Sequence, residues 1–242
     1  MAKAMARSAG GKQMTAAQIK KDMAERAEKI QQRIGSPETN AISLKDKLFT
    51  LPDGQIIQNE LRIVIVDFTS WNRYYDRPFD PKNPRPPVCF AQSDSPNGMR
   101  PSKNAPLQQS DECDVCPKNE FGSGTGDGKA CKNQRLLAVA FPEDPEAKLY
   151  TLSVPPASLK AFDGYVGAIA RMHKVEPVAM ITKIRMHPES TYTKLIFDDP
   201  VPNEQLALHY NKMQEARTLL ETEPDTSGLD LDAKPKPRRK KR

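Results

Sequence analysis

Leu61-Arg-Ile-Val-Ile-Val-Asp-Phe-Thr69 is the stretch from which the fold of this chain is read. Ile63, Val64, Ile65, Val66 and Thr69 are β-branched, and such side chains fit a pleated strand better than a helix. Pro52-Asp53-Gly54, a strong turn signal, lies just upstream. Before that turn, Ile42, Leu44, Phe49 and Leu51 mark an extended stretch expected to pair antiparallel with 61–69. Downstream, Leu136–Phe141 (LLAVAF) and Lys148–Val154 (KLYTLSV) read as two strands, or as one strand interrupted around Pro142–Pro145. Pro155-Pro156 then introduces a helix with Leu159, Phe162, Val166 and Ile169 on one face. Val178–Met186 and Thr191–Phe197 read as a hairpin turning at His187-Pro188-Glu189-Ser190.

That order places a helix between the third and fourth strands of a five-strand set, the arrangement of an OB-like barrel. The fold class expected is mixed α+β, mainly β, with a core over residues 36–200 and a polar insertion over 71–133. A helix over 15–35 precedes the core, opened by Thr15, with Ile19, Met23, Ala27, Ile30 and Ile34 in a narrow stripe. In the C-terminal segment 201–221 a last helix, capped by Asn203 and running from about Glu204 to Glu221, is expected with Leu206, Tyr210, Met213 and Leu220 on one side. Residues 1–14 and 222–242 have too little apolar surface to fold and are expected to be disordered.

The formal net charge is +6, but the last nine residues, KPKPRRKKR, carry seven positive charges. Taking seven from six leaves −1 for residues 1–233, so positive charge is placed locally. Residues 61–103 hold seven basic and four acidic side chains. No apolar run approaches a membrane span, and a soluble protein without membrane contact is expected.

All four cysteines fall in one stretch, as Cys89-x23-Cys113-x2-Cys116-x14-Cys131. A C-x2-C turn converges two thiolates on one tetrahedral ion, and two flanking cysteines complete the shell. One structural zinc is the expected cofactor, because zinc accepts four soft thiolates without redox chemistry. Two disulfides, or a redox C-x-x-C, are the alternatives. The N-terminus is polar and basic, which gives no support for an exported, oxidised protein.

Directly after Leu61–Thr69 comes Ser70-Trp-Asn-Arg-Tyr-Tyr-Asp-Arg-Pro-Phe79, which holds the only Trp of the chain. Aromatic faces stack on unpaired bases and interleaved Arg meets phosphates. Trp71, Arg73, Tyr74, Tyr75, Arg77, Phe79, Lys82 and Arg85 are therefore candidate nucleic-acid contacts. Lys129, Lys132 and Arg135 flank the last cysteine and can extend the same groove. An alternative role for the aromatics is to fill space between barrel and insertion. Gly122–Gly128, just before them, reads as a flexible tip and not as a phosphate loop. His173, His187 and His209 are isolated and read as surface or helix-end residues, so catalysis is not expected.

Pro86-Pro-Val-Cys89, then Cys113 to Ser123, then Gly128 to Arg135, resemble motifs of bacteriophage proteins usually described as single-stranded-DNA-binding or unassigned. The similarity extends to the W-x2-Y-Y segment and to about residue 197, and leaves out both ends. It implies sequence-tolerant binding of single-stranded DNA in phage replication or recombination, in the cytoplasm of an infected bacterium. Other readings are a transcription-associated adaptor contacting RNA polymerase and a strand-annealing recombination factor. Replication or transcription proteins are the partners expected for the tails.

Overall fold

The structure, a computed structural model, describes Thr15, Gln18, Lys21, Met23, Arg26 and residues 40–229 apart from 79 and 81–83. The expectations for 1–14, for most of 15–35, for Phe79 and Lys82, and for 230–242 lie outside the described residues. The chain divides between Thr39 and Asn40 into two units. In the first, Gln18, Lys21, Met23 and Arg26 are helical. Thr15 stands just ahead of these helical residues. Its N–H donates to Gln18 Oε1 at 2.9 Å, and the Gln18 N–H donates to Thr15 Oγ1 at 3.3 Å. This reciprocal box satisfies amides that a helix start leaves unpaired.

The second unit is mixed α+β, mainly β. Its strands are β1 (Ala41–Ile42), β2 (Phe49–Thr50), β3 (Ile56–Ile57), β4 (Glu60–Tyr74) and β5 (Cys89–Ser93). They continue as β6 (Lys132–Ala140), β7 (Tyr150–Val154), β8 (Met180–Met186) and β9 (Leu195–Pro202). The helices are α1 (Leu159–Met172), α2 (Leu206–Tyr210) and α3 (Met213–Glu221). One sheet runs β1-β7-β6-β4-β8-β9, with β5 also on β4; β2 and β3 form a separate pair.

β4 is the centre of this sheet and is longer than the sequence pattern suggested. It pairs with β8 over Glu60–Val64, with β6 over Val64–Arg73 and with β5 over Ser70–Tyr74. The apolar run ends at Thr69, but pairing on both sides carries the strand through the polar and aromatic residues to Tyr74. An irregularity between Ile65 and Asp67 shifts the register against β6. Such a bulge changes which residues face which side. Leu61, Ile63, Ile65 and, beyond the shift, Phe68 meet one core, while Val64 and Val66 meet the other.

The inner core joins those residues to Leu137, Val139, Leu152, Val154, Ile184, Leu195 and Phe197. Phe162 of α1 lies at its middle, with ring centroids 5.2 Å from Phe68 and 5.3 Å from Phe197. The outer core joins Val64, Val66, Leu136, Ala138 and Ala140 to Ala216 and Leu220 of α3. β4 and β6 are thus covered on both faces, which explains their near-continuous apolar runs.

Several expectations change. The expected barrel is not closed: β9 pairs only with β8, and the outer edge of β7 is taken by β1 in parallel. The chain after β1 reaches the β8–β9 turn instead, where Lys47 Nζ donates to the Ser190 carbonyl and Thr193 Oγ1 to that of Leu44. Ile42 and Phe49 fill the inner core from this segment. The same segment does not pair with β4, because the turn at Gly54 (φ +89°) folds β2 directly onto β3. LLAVAF and KLYTLSV belong to two strands, β6 and β7. Pro200 and Pro202 are tolerated in β9 because it is an edge strand.

The expected last helix breaks at Asn211–Lys212 into α2 and α3. The break resets the helical phase, so Leu206 and Tyr210 are 40% and 57% exposed while Leu208, Met213, Leu219 and Leu220 pack. His209 is fully buried, not a surface residue; its Nδ1 meets Asn203 and the Gln205 carbonyl. The start of the expected disordered tail is held: Glu223 accepts bonds from Ser102 Oγ and, at 2.7 Å, from Asn104 Nδ2.

The phase reset gives a paired expectation. Leu220→Ala removes a buried side chain and should lower unfolding free energy by about 2–5 kcal/mol. Leu206→Ala, on an exposed position, should change it by less than about 1 kcal/mol. Urea unfolding of the two variants measures both, and equal losses would contradict this packing.

Candidate metal centre and nucleic-acid interface

The polar insertion spans the chain between the end of β4 and the start of β6, residues 75–131, slightly narrower than 71–133. β5 ties it to the sheet, with Tyr74 opposite Cys89. All four cysteines are free thiols and line one cavity of about 20 Å³, together with Asn72, Tyr74, Lys118 and Asn119. That volume is about the room of one water-sized group.

The loops that carry the thiols are fixed by backbone bonds. The Cys113 N–H donates to the Met99 carbonyl at 2.9 Å, and the Cys131 N–H to that of Lys118 at 2.7 Å. Asn119 closes the Cys113–Cys116 turn: its N–H donates to the Cys116 carbonyl at 2.8 Å and its Nδ2 to that of Cys113 at 2.7 Å. Asn72 Nδ2 donates to the Met99 sulfur at 3.5 Å, behind the backbone bond that holds Cys113. Burial pushes the Cys89 and Cys113 thiols up, and pushes Cys131 up to about 12. The neighbouring cysteines reinforce the rise at each, because a second thiolate nearby is repelled.

The four sulfurs thus share one small, braced, low-dielectric cavity, and four thiolates are a donor set suited to zinc. Among the described residues, no group of three or more His, Cys, Asp or Glu side chains is disposed to hold a metal ion as it stands. The thiols share a cavity without sharing a coordination centre.

Gly122–Gly128 is a hydrogen-bonded turn, not a loose tip. The Gly124 N–H donates to the Gly128 carbonyl at 2.8 Å, and Gly122 has φ +85°. A Cβ on Gly124 would meet the Lys129 carbonyl carbon at 2.8 Å and the Ala130 nitrogen at 2.9 Å. The turn closes over the segment Lys129–Ala130 that leads into Cys131.

The aromatic and basic candidates do not form one surface. Trp71 and Tyr74 are three residues apart in one strand, so they face opposite sides. Trp71 packs on the outer core, with the Arg73 guanidinium 4.0 Å from its ring centroid. Arg73 also bonds Gln134 at 2.9 Å and engages Tyr75. Tyr74 borders the cysteine cavity, with Lys118 Nζ 5.5 Å from its ring. Arg77 and Arg85 both pair with Asp76, at 3.4 and 3.9 Å. Arg135 is 8% exposed and pairs with Asp163 at 2.9 Å. Lys132 is exposed, its Nζ donating to the Lys129 carbonyl at 3.2 Å.

Asn72 and Asn119, which brace the cysteine loops, were not singled out from sequence. Their roles depend on contacts distant along the chain, apart from the C-P-x-N spacing that places Asn119 beside Cys116. Asp198 and Asp199 are bound up with Arg185 and Lys183.

No protein-family model, curated protein or solved structure matches this chain.

Two glycine substitutions test the turn. Gly124→Ala forces backbone apart and should cost about 1–3 kcal/mol, with faster proteolysis between residues 118 and 131. Gly164→Ala, in α1 with open space around it, should gain about 0.5–1 kcal/mol. Thermal unfolding of both variants measures the signs.

Proposed function

We propose that this chain binds single-stranded DNA with little sequence preference, at a zinc-stabilised insertion and the adjoining strand ends of an OB-like sheet. The observation that carries the reading is the connectivity of the second unit. A meander β4-β6-β7, a helix α1, and a hairpin β8-β9 returned onto β4 follow the OB order. Oligonucleotide binding is a common use of that arrangement, and the resemblance of the cysteine and W-x2-Y-Y motifs points the same way.

Cys89, Cys113, Cys116 and Cys131 would hold the ion. Zinc would supply the positive charge that lets four mutually repelling thiolates converge, and four sulfur ligands leave no place for substrate. Its role here would be to fix a long insertion with little regular structure of its own. Phosphate contacts would fall to Lys118, Lys129, Lys132, Arg77 and Arg85, with Tyr74 as a stacking residue. Trp71, packed on the outer core and covered by Arg73, would act chiefly through structure. Replication or recombination of phage DNA is the setting this reading fits.

Titration with a labelled oligothymidine and with duplex DNA, each at two salt concentrations, tests it. Unpaired DNA should bind more tightly, with log affinity falling linearly in log salt. Equal affinity for duplex, or none for either, would reject the reading. Elemental analysis should find one zinc per chain, and Cys116→Ser should lower that content and expose the insertion to protease. Disulfide-linked peptides in the native protein would reject the metal.

A further inference from the structure

Phe121 is 83% exposed, the most open of the large apolar side chains among the described residues. An aromatic ring so exposed on a well-braced turn has no packing role in the fold. The turn that presents it is held on both sides. The Asn119 N–H donates to the Cys116 carbonyl at 2.8 Å, and the Gly122 N–H to the Asp127 carbonyl at 3.2 Å. Ser123 Oγ reaches the Lys118 carbonyl at 3.0 Å and accepts from the Ala130 N–H at 3.0 Å. Lys129 Nζ stands 5.0 Å from the Phe121 ring centroid and donates to Asn119 Oδ1 at 3.3 Å.

We propose that Phe121 and Lys129 form a stacking site for one unpaired nucleobase and its phosphate at the tip of the cysteine insertion. This rests on the single-strand reading above and adds a contact outside the W-x2-Y-Y strand. The free face of the ring supplies sequence-tolerant stacking, and the ammonium at the ring meets the phosphate. Because the turn is already ordered, little conformational freedom is lost on binding.

Glu120 and Asp127 share this turn, so the tip has no broad positive field. Its contribution is therefore local: one base, one phosphate. A nucleotide fits better than the apolar anchor of a protein partner. Such an anchor would strip water from the Lys129 ammonium without returning a charge, whereas a nucleotide returns one.

Full-length protein and a fluorescein-labelled oligothymidine test the assignment. Phe121→Ala should weaken binding roughly five- to hundred-fold, and Phe121→Tyr should stay within about two-fold of the original. Lys129→Gln should weaken binding and reduce the salt slope by about one. The melting temperature of Phe121→Ala should stay unchanged, since the ring buries little. Native-like affinity of Phe121→Ala beside a parent that binds would overturn this site and leave the function standing. Loss of binding with a lowered melting temperature would also overturn it, as a packing role. A parent that does not bind overturns both.

Discussion

The double burial of one strand constrains everything else in the second unit. β4 is 15 residues long and takes β8 at its start, β6 along most of its length and β5 at its end. A backbone paired this way cannot slip by one residue without turning each core inside out. The irregularity after Ile65 is absorbed within that limit: it lets Phe68 reach the inner core while Val64 and Val66 serve the outer one. The chain therefore needs two coverings, α1 with Phe162 inside and α3 with Ala216 and Leu220 outside.

The cysteine insertion inherits its position from the same strand. β5 is short, but it pairs with the last five residues of β4 and places Cys89 opposite Tyr74. Cys131 lies at the other border, one residue before β6. Two thiols are thus fixed by the sheet, and two by the Cys113–Cys116 turn with Asn119 behind it. This division gives the proposed zinc a clear mechanical task, since it would connect a self-bonded loop to a rigid strand end. Thiols held up by burial must lose protons to bind it, so uptake would weaken as pH falls.

Outside, the polar contacts of α3 and the chain beyond it gather around the same insertion. Arg217 meets Asp94 and, at 3.6 Å, Asp67; Gln92 Nε2 donates to the Leu220 carbonyl at 2.8 Å. Glu223 continues the contact at Ser102 and Asn104. These ion pairs are partly exposed and individually worth little, but with the buried Leu220 they set α3 over the sheet. The outer face of β4 and β6 is therefore a packed core and not an open groove. The surface left open for the proposed nucleic-acid contacts is at the insertion and the strand ends.

By itself the sequence determined the local features: the β-branched heart of β4, the turn at Gly54, the capped start at Thr15, the amphipathic α1 and the grouping of the cysteines. Each follows from propensity, period or spacing within a short window. Partners distant in sequence decided the rest. β4 runs past Thr69 because β5 and β6 pair with its polar end, which no local pattern announces. The sheet stays open because β1 takes the edge of β7. Trp71 and Tyr74 look like one aromatic cluster in the sequence, yet strand alternation sends them to opposite faces. Arg135 reads as a groove residue, yet it is buried and its guanidinium pairs with the exposed Asp163 on α1. Side-chain type was legible from sequence; the side of the sheet each residue faces depended on pairings that only the tertiary structure supplies.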